Sequence, residues 1–258
     1  MDLIKLALNE HHHGQVLEVA LHAPKANILD AAMMAELRAV LAAERAPSKR
    51  KAIVLGGSGA HFCFGASVPE HEASQVGAML PQFHALIDDL LSHPLPVLAR
   101  VSGFCLGGGF ELALACSLIF ADDSARFAVP EIQLGVFPPV AAVLLPQLGA
   151  GALATRLVLS GETVDAAELD RRGLLAARSA SGELAGTLDA WIAQHLLPRS
   201  AASLRLAHRA VRAPLLAHYR QHIGAAERLY LDELMATHDA NEGIAAFLAK
   251  RAPVWTDA

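Results

Sequence analysis

Three consecutive glycines at positions 107–109 constrain the fold of this chain more than any other feature. They stand in SGFCLGGGFELALAC, residues 102–116, directly before an apolar run that predicts a helix. A glycine in a helix interior costs about 1 kcal/mol relative to alanine, because it loses more backbone freedom on folding. Helix stability therefore does not explain these glycines. The same run contains one carboxylate, Glu111, and the segment has no Lys or Arg to pair with it.

Glycines at a junction between a strand and a helix let a ligand approach backbone N–H groups, which carry the positive end of the helix dipole. A phosphate would fit such a place, and so would a carbonyl oxygen that becomes an oxyanion during a reaction. The phosphate-loop patterns G-x-x-x-x-G-K-[ST] and G-x-G-x-x-G are absent at 103–111 and at 56–59, which favours the oxyanion. If the glycines stood alone in the sequence, close packing of the helix would be the remaining explanation for them.

Two glutamates accompany the glycines. The helix around Glu111 is apolar on every side, and an ionised carboxylate buried without a partner costs several kcal/mol. Glu111 therefore either meets a distant cation or faces a cavity that holds water and substrate. Glu131 follows Pro130 at the end of an apolar strand in ARFAVPEIQLG. Alone it would most often be a surface or capping residue, but with Glu111 it forms a pair that can move protons around one water.

The composition predicts a packed protein that does not bind nucleic acid. The 258 residues are 53% hydrophobic and 18% charged, which suits one large α/β domain or a main domain with a smaller appendage. The formal net charge is -5, whereas phosphate binding requires clustered Lys and Arg. The short basic run at 49–51 predicts a surface segment.

Cysteine and histidine usage predicts neither a disulfide framework nor a metal site. Cys63, Cys105 and Cys116 are odd in number and form no CxxC pair, so we expect reduced, buried thiols. The histidines at 11–13 lack a partner ligand at helical spacing and predict a solvated turn between two strands. No apolar stretch of about 18 residues and no signal-peptide pattern is recognised, so we expect a cytoplasmic protein that does not enter a membrane.

Strands and helices are predicted to alternate up to about residue 180, which is typical of an α/β fold. Strands are predicted at 2–8, 15–21, 52–57, 96–103, 117–122 and 125–131, and helices at 31–46 with Asp30 as N-cap, at 75–92, at 107–116 and near 140–148. From about residue 200 the pattern is helical only. We therefore expect an α/β core at 1–195 and a helical region at 196–258, which either closes the core or binds a neighbouring subunit.

Together the motifs resemble the enoyl-CoA hydratase/isomerase (crotonase) family over essentially the whole chain. The matching blocks are KANILD at 25–30, HFCFGASV at 61–68, SGFCLGGGFELALACSLIFAD at 102–122, FAVPEIQLGVFP at 127–138 and EGIAAFLAKRAPVW at 242–255. The resemblance implies an α/β, crotonase-like superhelix of ββα units with a C-terminal α-helical oligomerisation region. It also implies homotrimers or homohexamers and an acyl-CoA substrate, with no separate cofactor and no metal.

The resemblance also assigns site residues. The backbone N–H groups of Ala66 and Gly108 would form an oxyanion hole for the thioester carbonyl, and each such donor is typically worth about 10²- to 10³-fold in rate. Family members that add water use two glutamates, which match Glu111 and Glu131, although the acid and the base are not distinguished. The positions expected to bind substrate are Lys25, Ala26, Ser67, Val68, Gly107, Phe137 and Pro138.

Two segments depart from ordinary straight-chain hydratases. Gly65-Ala66-Ser67-Val68 replaces GAD-[IL], and an apolar segment at 137–145 replaces the glycine-rich G-x-GG-x-x-RL. Such a wall is more apolar and stiffer, so it favours a carbocyclic acyl group. The resemblance then implies hydration of a conjugated cyclic dienoyl thioester, cyclohexa-1,5-diene-1-carbonyl-CoA, to 6-hydroxycyclohex-1-ene-1-carbonyl-CoA in anaerobic aromatic degradation. Hydration of another cyclic or linear enoyl-CoA, or double-bond isomerisation, is the alternative within the family.

Two interpretations from other classes remain. Residues 56–60, GGSGA, approach the G-x-S-x-G elbow of a serine hydrolase, but that elbow turns directly into a helix and the following AHFCFGAS predicts none. A non-enzymatic scaffold or RNA-binding relative would keep the fold without the chemistry. The presence of both glutamates and both oxyanion positions argues against the scaffold, and the acidic charge argues against RNA.

Overall fold

The computed structural model describes residues 5–23 and 26–258. Its strands are β1 (Leu6–His11), β2 (Val16–Leu21), β3 (Ala52–Gly57), β4 (Val97–Val101), β5 (Phe104–Leu106), β6 (Leu118–Asp122), β7 (Arg126–Ala128), β8 (Val164–Asp165) and β9 (Ala177–Ser179). Its α-helices are α1 (Ala31–Ala43), α2 (Val76–Leu91), α3 (Gly108–Ala115), α4 (Pro139–Leu145), α5 (Gly151–Ser160), α6 (Ala166–Arg171), α7 (Leu184–His195), α8 (Ala201–Arg228) and α9 (His238–Leu248).

The strands form two sheets. The larger has the order β1-β2-β3-β4-β6-β9, with β1 antiparallel to β2 and every other neighbouring pair parallel. The smaller has the order β5-β7-β8. Consecutive strands such as β4 and β5, or β6 and β7, contribute one strand to each sheet before the chain continues into helix. This strand–strand–helix winding confirms the predicted α/β class and places the start of α3 beside the small sheet.

Several predicted elements are confirmed. The strand at 52–57 is β3 with the same bounds, and the helices predicted at 75–92 and 107–116 are α2 and α3 within one residue at each end. The carboxylate of Asp30 caps α1 by accepting a hydrogen bond from the backbone N–H of Met33 at 2.9 Å. That capping satisfies one of the backbone donors that a helix start leaves free.

Some boundaries were wrong for identifiable reasons. The strand predicted at 96–103 breaks at Gly103, whose φ of 57° is left-handed, and the chain changes sheets there. The strand predicted at 125–131 ends at Ala128, because a 3₁₀ turn, Pro130–Leu134, follows and puts Glu131 in its first turn. Of the predicted strand at 2–8, residues 2–4 lie outside the described residues. β1 extends to His11, so the predicted histidine turn is shorter, at His12–Gly14.

The C-terminal helices close the main core. Tyr219 of α8 and Ile244 of α9 belong to the same buried apolar cluster as Leu21 of β2. The Tyr219 hydroxyl donates to the backbone carbonyl of His84 at 2.9 Å, and His84 Nδ1 lies 2.6 Å from Glu227 Oε2. These contacts fix α8 against α2. The expected boundary between 1–195 and 196–258 stays a prediction, since both parts share this core.

One helical stretch of the described residues, Pro139–Ser160, is long and apolar enough to cross a membrane by length and composition alone. Gln147 and Arg156 interrupt the stretch, so the expectation that the chain has no uninterrupted apolar run of about 18 residues is not contradicted. The stretch is not one straight helix, because a π turn, Pro146–Ala150, joins α4 to α5 and Gly149 within it has a φ of 87°. Leu144 and Leu157 lie in the apolar core. A core helix passes the same test, so the stretch is weak evidence for a membrane span.

Helix α9 lies against the 3₁₀ turn that carries Glu131, and Gly243 permits the close approach. A Cβ on Gly243 would lie 2.1 Å from the backbone carbonyl oxygen of Leu134 and 2.9 Å from the ring of Trp255. Neither distance is compatible with a real side chain, and the carbonyl is backbone that cannot rotate away. α9 would have to move outward to accept a methyl group.

We expect Gly243→Ala to destabilise the fold by about 1–3 kcal/mol, because an inserted methyl group overpacks this contact. Gly186→Ala is the matched control: Gly186 lies in α7, and a Cβ on it would have no atom within 4 Å, so alanine should be neutral or stabilise by up to about 1 kcal/mol. Denaturant unfolding of both variants measures the difference. Equal stability of the two variants would contradict the packing described for α9.

Candidate active site

Each glycine at 107–109 faces a different neighbour at the start of α3. Gly107 is the N-cap with φ 49°, and a Cβ on it would lie 2.5 Å from Glu131 Oε1. A Cβ on Gly108 would lie 3.1 Å from the backbone nitrogen of Ala66, and one on Gly109 would lie 2.7 Å from Cys63 Cβ. The glycines therefore allow a carboxylate, a backbone amide and the 63–66 loop to approach one helix start.

Two backbone N–H groups at this place are free to bind a ligand. Among the backbone hydrogen bonds of residues 5–23 and 26–258, none has the N–H of Ala66 or of Gly108 as donor. The backbone groups on either side of Ala66 are paired: the N–H of Leu29 donates to the carbonyl of Gly65, and the N–H of Ser67 donates to the carbonyl of Leu29. Ala66 and Gly108 thus present adjacent donors at the positive end of the α3 dipole, where a developing oxyanion is stabilised.

Glu111 is buried in the first turn of α3, with 3% of its surface exposed. Its Oε1 accepts a hydrogen bond from the backbone N–H of Ala141 at 2.8 Å. Burial raises the pKa of Glu111 to about 7, because the charged form loses its hydration, while the Ala141 hydrogen bond acts in the opposite direction. A carboxyl with this pKa can both hold and release a proton near neutral pH.

Glu131 enters the same site from the 3₁₀ turn after β7. Its Oε1 lies over Gly107, and its Oε2 is buried with no hydrogen-bond partner among the described residues. Burial raises the pKa of Glu131 well above its ordinary value, and the negative charge of Glu111 raises it further. The two carboxylates are therefore close enough to titrate as a pair.

A cavity of about 430 Å³ contains both carboxylates and both oxyanion positions. Most of its wall is apolar and comes from the 64–71 segment, α2, the start of α3, the 130–139 segment and the C-terminal helices. The lining residues are Phe64, Gly65, Ala66, Val68, His71, Met79, Leu80, Phe83, Leu106, Gly107, Gly108, Glu111, Pro130, Glu131, Gln133, Leu134, Val136, Phe137, Pro138, Pro139, Tyr230, Gly243, Ile244, Phe247, Arg251 and Pro253.

The structure brings most of the predicted site residues to this cavity. Those in its wall are Ala66, Val68, Gly107, Gly108, Glu111, Glu131, Phe137 and Pro138. Ser67 and Ala26 are not among the lining residues; the Ser67 carbonyl instead lies 2.9 Å from His71 Nδ1, and the Ala26 carbonyl accepts from the N–H of Phe64. Lys25 lies outside the described residues. Contact of these residues with substrate stays a prediction.

Several lining residues were missed by the sequence analysis. Phe83 of α2 and Tyr230, which follows α8, reach the cavity from helices whose apolar spacing is typical of ordinary core positions. His71 and Arg251 also line the cavity, and Arg251 is paired with Glu242. The sequence signal that could have identified Tyr230 as a site residue is a tyrosine hydroxyl within an apolar helical stripe. That signal is weak by itself.

The serine-hydrolase alternative lacks its local structure in the described residues. β3 is followed by a turn at Ser58 and Gly59 rather than by a helix, so the serine-hydrolase elbow is not formed there. In the described ranges no group of three or more His, Cys, Asp and Glu side chains is arranged to hold a metal ion. Cys63, Cys105 and Cys116 are free and buried, as expected.

Comparison with known proteins identifies relatives of the whole chain. Residues 11–258 match the family model described as enoyl-CoA hydratase/isomerase. The chain is similar to a cyclohexa-1,5-dienecarbonyl-CoA hydratase of Thauera aromatica, at 44% identity over 94% of this chain and 93% of that protein. It is also similar to a probable enoyl-CoA hydratase of Rhizobium meliloti, at 37% identity over 92% and 93% of the two chains.

A solved structure supports the same fold. An enoyl-CoA hydratase from Mycobacterium avium subsp. paratuberculosis superposes with a TM-score of 0.86 at 25% identity, covering 99% of this chain and 100% of that one. The predicted crotonase-like fold and the resemblance seen in the motifs are thereby confirmed.

We expect Glu111→Gln to stabilise the fold at pH 8 more than at pH 5. A carboxyl whose pKa is raised on folding favours the folded state below its unfolded pKa of about 4.3, and this contribution is lost as the pH rises towards the folded pKa of about 7. Glutamine removes that loss and can still accept from Ala141. The melting temperature, Tm, of the variant and of the wild-type protein is measured as a function of pH.

Glu183→Gln, at an exposed position before α7, is the control and should leave the pH dependence of the wild-type protein unchanged. If Glu111→Gln and the wild-type protein lose stability in parallel between pH 5 and pH 8, Glu111 is not a buried carboxyl with a raised pKa.

Proposed function

This chain belongs to the enoyl-CoA hydratase/isomerase family, and we propose that it adds water to a conjugated cyclic enoyl-CoA thioester, cyclohexa-1,5-diene-1-carbonyl-CoA. The observation that carries the proposal is the meeting of two buried carboxylates and two free backbone donors in one apolar cavity. Hydration requires a proton acceptor for water, a proton donor for carbon, and stabilisation of the intermediate anion. The four groups can supply all three.

The choice of a cyclic acyl group rests on the wall beside the carboxylates and on one relative. Phe137, Pro138 and Pro139 line the cavity, and Pro138 and Pro139 are buried. Proline fixes its own φ, so this part of the wall is stiff and suits a flat ring better than a flexible chain. The relative from Thauera aromatica bears the name of a hydratase for this dienoyl thioester.

The reaction can be followed atom by atom. The thioester oxygen accepts hydrogen bonds from the N–H groups of Ala66 and Gly108. The water oxygen bonds to the ring carbon β to the thioester, and one carboxylate takes the proton that the water loses. The electrons of the attacked double bond move into a dienolate, whose negative oxygen the two donors stabilise. A proton from the other carboxyl reaches the far end of the diene, which leaves the product 6-hydroxycyclohex-1-ene-1-carbonyl-CoA.

The electrostatics of the pair suit this division of work. Burial raises the pKa of both Glu111 and Glu131, and the charge of Glu111 raises the pKa of Glu131 further, so the pair retains a shared proton towards neutral pH. One carboxylate and one carboxylic acid are then present together. The proposal assigns the chemistry to the pair and leaves the order of the two roles open.

The quaternary structure forms part of the proposal. Leu206 and Val211 of α8 are 64% and 72% exposed, and Trp255 is 42% exposed. Large apolar side chains on one helix favour burial against another subunit. We therefore propose a homotrimer or a homohexamer in the cytoplasm, with no membrane or nucleic-acid partner and no cofactor besides the coenzyme A of the substrate.

We expect the purified protein to hydrate the cyclic dienoyl-CoA at least about tenfold faster, in kcat/KM, than crotonyl-CoA, because the stiff wall favours a ring; pocket contacts commonly discriminate by about 10–200-fold. The rates are measured from the loss of absorbance of the conjugated diene, and the product is identified by mass spectrometry. Rapid turnover of crotonyl-CoA alone would assign a linear substrate, and a product with shifted double bonds and no added water would assign isomerisation.

Glu111→Gln and Glu131→Gln should each lower kcat by at least about 10²-fold, since each removes one proton-transfer group. Circular dichroism and size-exclusion chromatography should show the fold and assembly unchanged. Glu183→Gln serves again as the matched control and should retain full turnover. Unchanged kcat in either active-site variant would remove that glutamate from the mechanism.

A further inference from the structure

Two residues of the cavity wall each carry a buried polar atom that has no hydrogen-bond partner among the described residues. One is Oε2 of Glu131, and the other is the hydroxyl of Tyr230. Tyr230 is 1% exposed, so its hydroxyl has no direct access to bulk solvent. A buried polar group without a partner costs about 1–3 kcal/mol. Both residues line the same cavity, which suggests that one small polar molecule satisfies them together.

The surroundings of Tyr230 hold its ring in place. It lies in a π turn, Leu229–Glu233, that continues directly from α8. Its ring centroid is 5.4 Å from that of Phe137, at an interplanar angle of 60°, which is a favourable tilted contact. Phe137 follows the turn that carries Glu131, so the hydroxyl and the carboxylate are positioned by adjoining parts of the wall.

The phenol of Tyr230 stays protonated in this site. Burial raises its pKa, and the negative charges of Glu131 and then Glu111 raise it further. Tyr230, Glu111 and Glu131 all line the same cavity. A protonated phenol donates one hydrogen bond and the carboxyl oxygen Oε2 of Glu131 can accept one, so the two groups are complementary to the two ends of a water molecule.

We propose that Tyr230 positions the reacting water: its O–H donates to the water oxygen while the water donates to Glu131 Oε2. This inference rests on the proposed hydration. The two hydrogen bonds orient the remaining lone pair of the water towards the acyl group, whichever of the two carboxyls takes the proton. A cavity with two polar partners and this volume is suitable for an ordered water.

Tyr230→Phe tests the role, because it removes the hydroxyl and retains the ring against Phe137. We expect kcat for hydration to fall by about 10–100-fold, the range for a hydrogen bond to a charged system, while KM for the thioester changes by less than about threefold. Thermal stability should be unchanged or higher, since no protein hydrogen bond is lost.

Tyr219→Phe is the matched control. Tyr219 is equally buried, but its hydroxyl donates to the backbone carbonyl of His84 and the residue does not line the cavity. We expect this variant to have a lower Tm and an unchanged kcat. Wild-type kcat in Tyr230→Phe would overturn the proposal, as would a loss confined to KM, which would mean that the phenol contacts the acyl group instead.

A second measurement does not depend on activity. High-resolution crystal structures of the wild type and of Tyr230→Phe, both without substrate, should show an ordered water within about 3.2 Å of the Tyr230 hydroxyl and of Glu131 in the wild type only. Absence of that water from the wild type would overturn the role of Tyr230. A wild-type protein that holds the water but hydrates no enoyl-CoA would instead contradict the proposed function.

Discussion

The burial of two carboxylates without a cation is the constraint on which the rest of the structure depends. Neither Glu111 nor Glu131 forms an ion pair with a described Lys, Arg or His. Isolated buried charges are expensive, so the site lowers the cost by sharing protons and by directing the backbone N–H of Ala141 at Glu111. An extensive buried apolar cluster surrounds the site and offsets the remaining cost.

The chemistry-bearing part of the site was predictable because it is encoded locally. Gly107, Gly108 and Glu111 lie within five residues of one another, and their spacing at a helix start determines where amides and carboxylate point. Glu131 was predictable as a partner only in combination, since a Glu after Pro is common at the surface. The 3₁₀ turn that delivers it was missed, because Pro130 ends the strand earlier than the apolar pattern suggests.

The remaining wall of the cavity depends on contacts between distant segments. Tyr230 and Ile244 come from helices more than a hundred residues after α3, and their spacing is that of any amphipathic helix. The sequence left open whether these helices close the core or bind a neighbour. They do close the core, because Tyr219 and Ile244 join its apolar cluster, while Leu206 and Val211 remain on the outside. One region therefore completes the pocket and also offers an apolar surface for assembly.

The close approach of Glu131 to Gly107 links two positions that are far apart in the chain. A methyl group at 107 would meet the carboxylate end of Glu131 first, and residue 107 would also have to keep φ 49° with ψ -128°, a conformation that only glycine adopts without strain. Any side chain at this glycine would therefore disturb the placement of the second acid while both glutamates remain unchanged in the sequence.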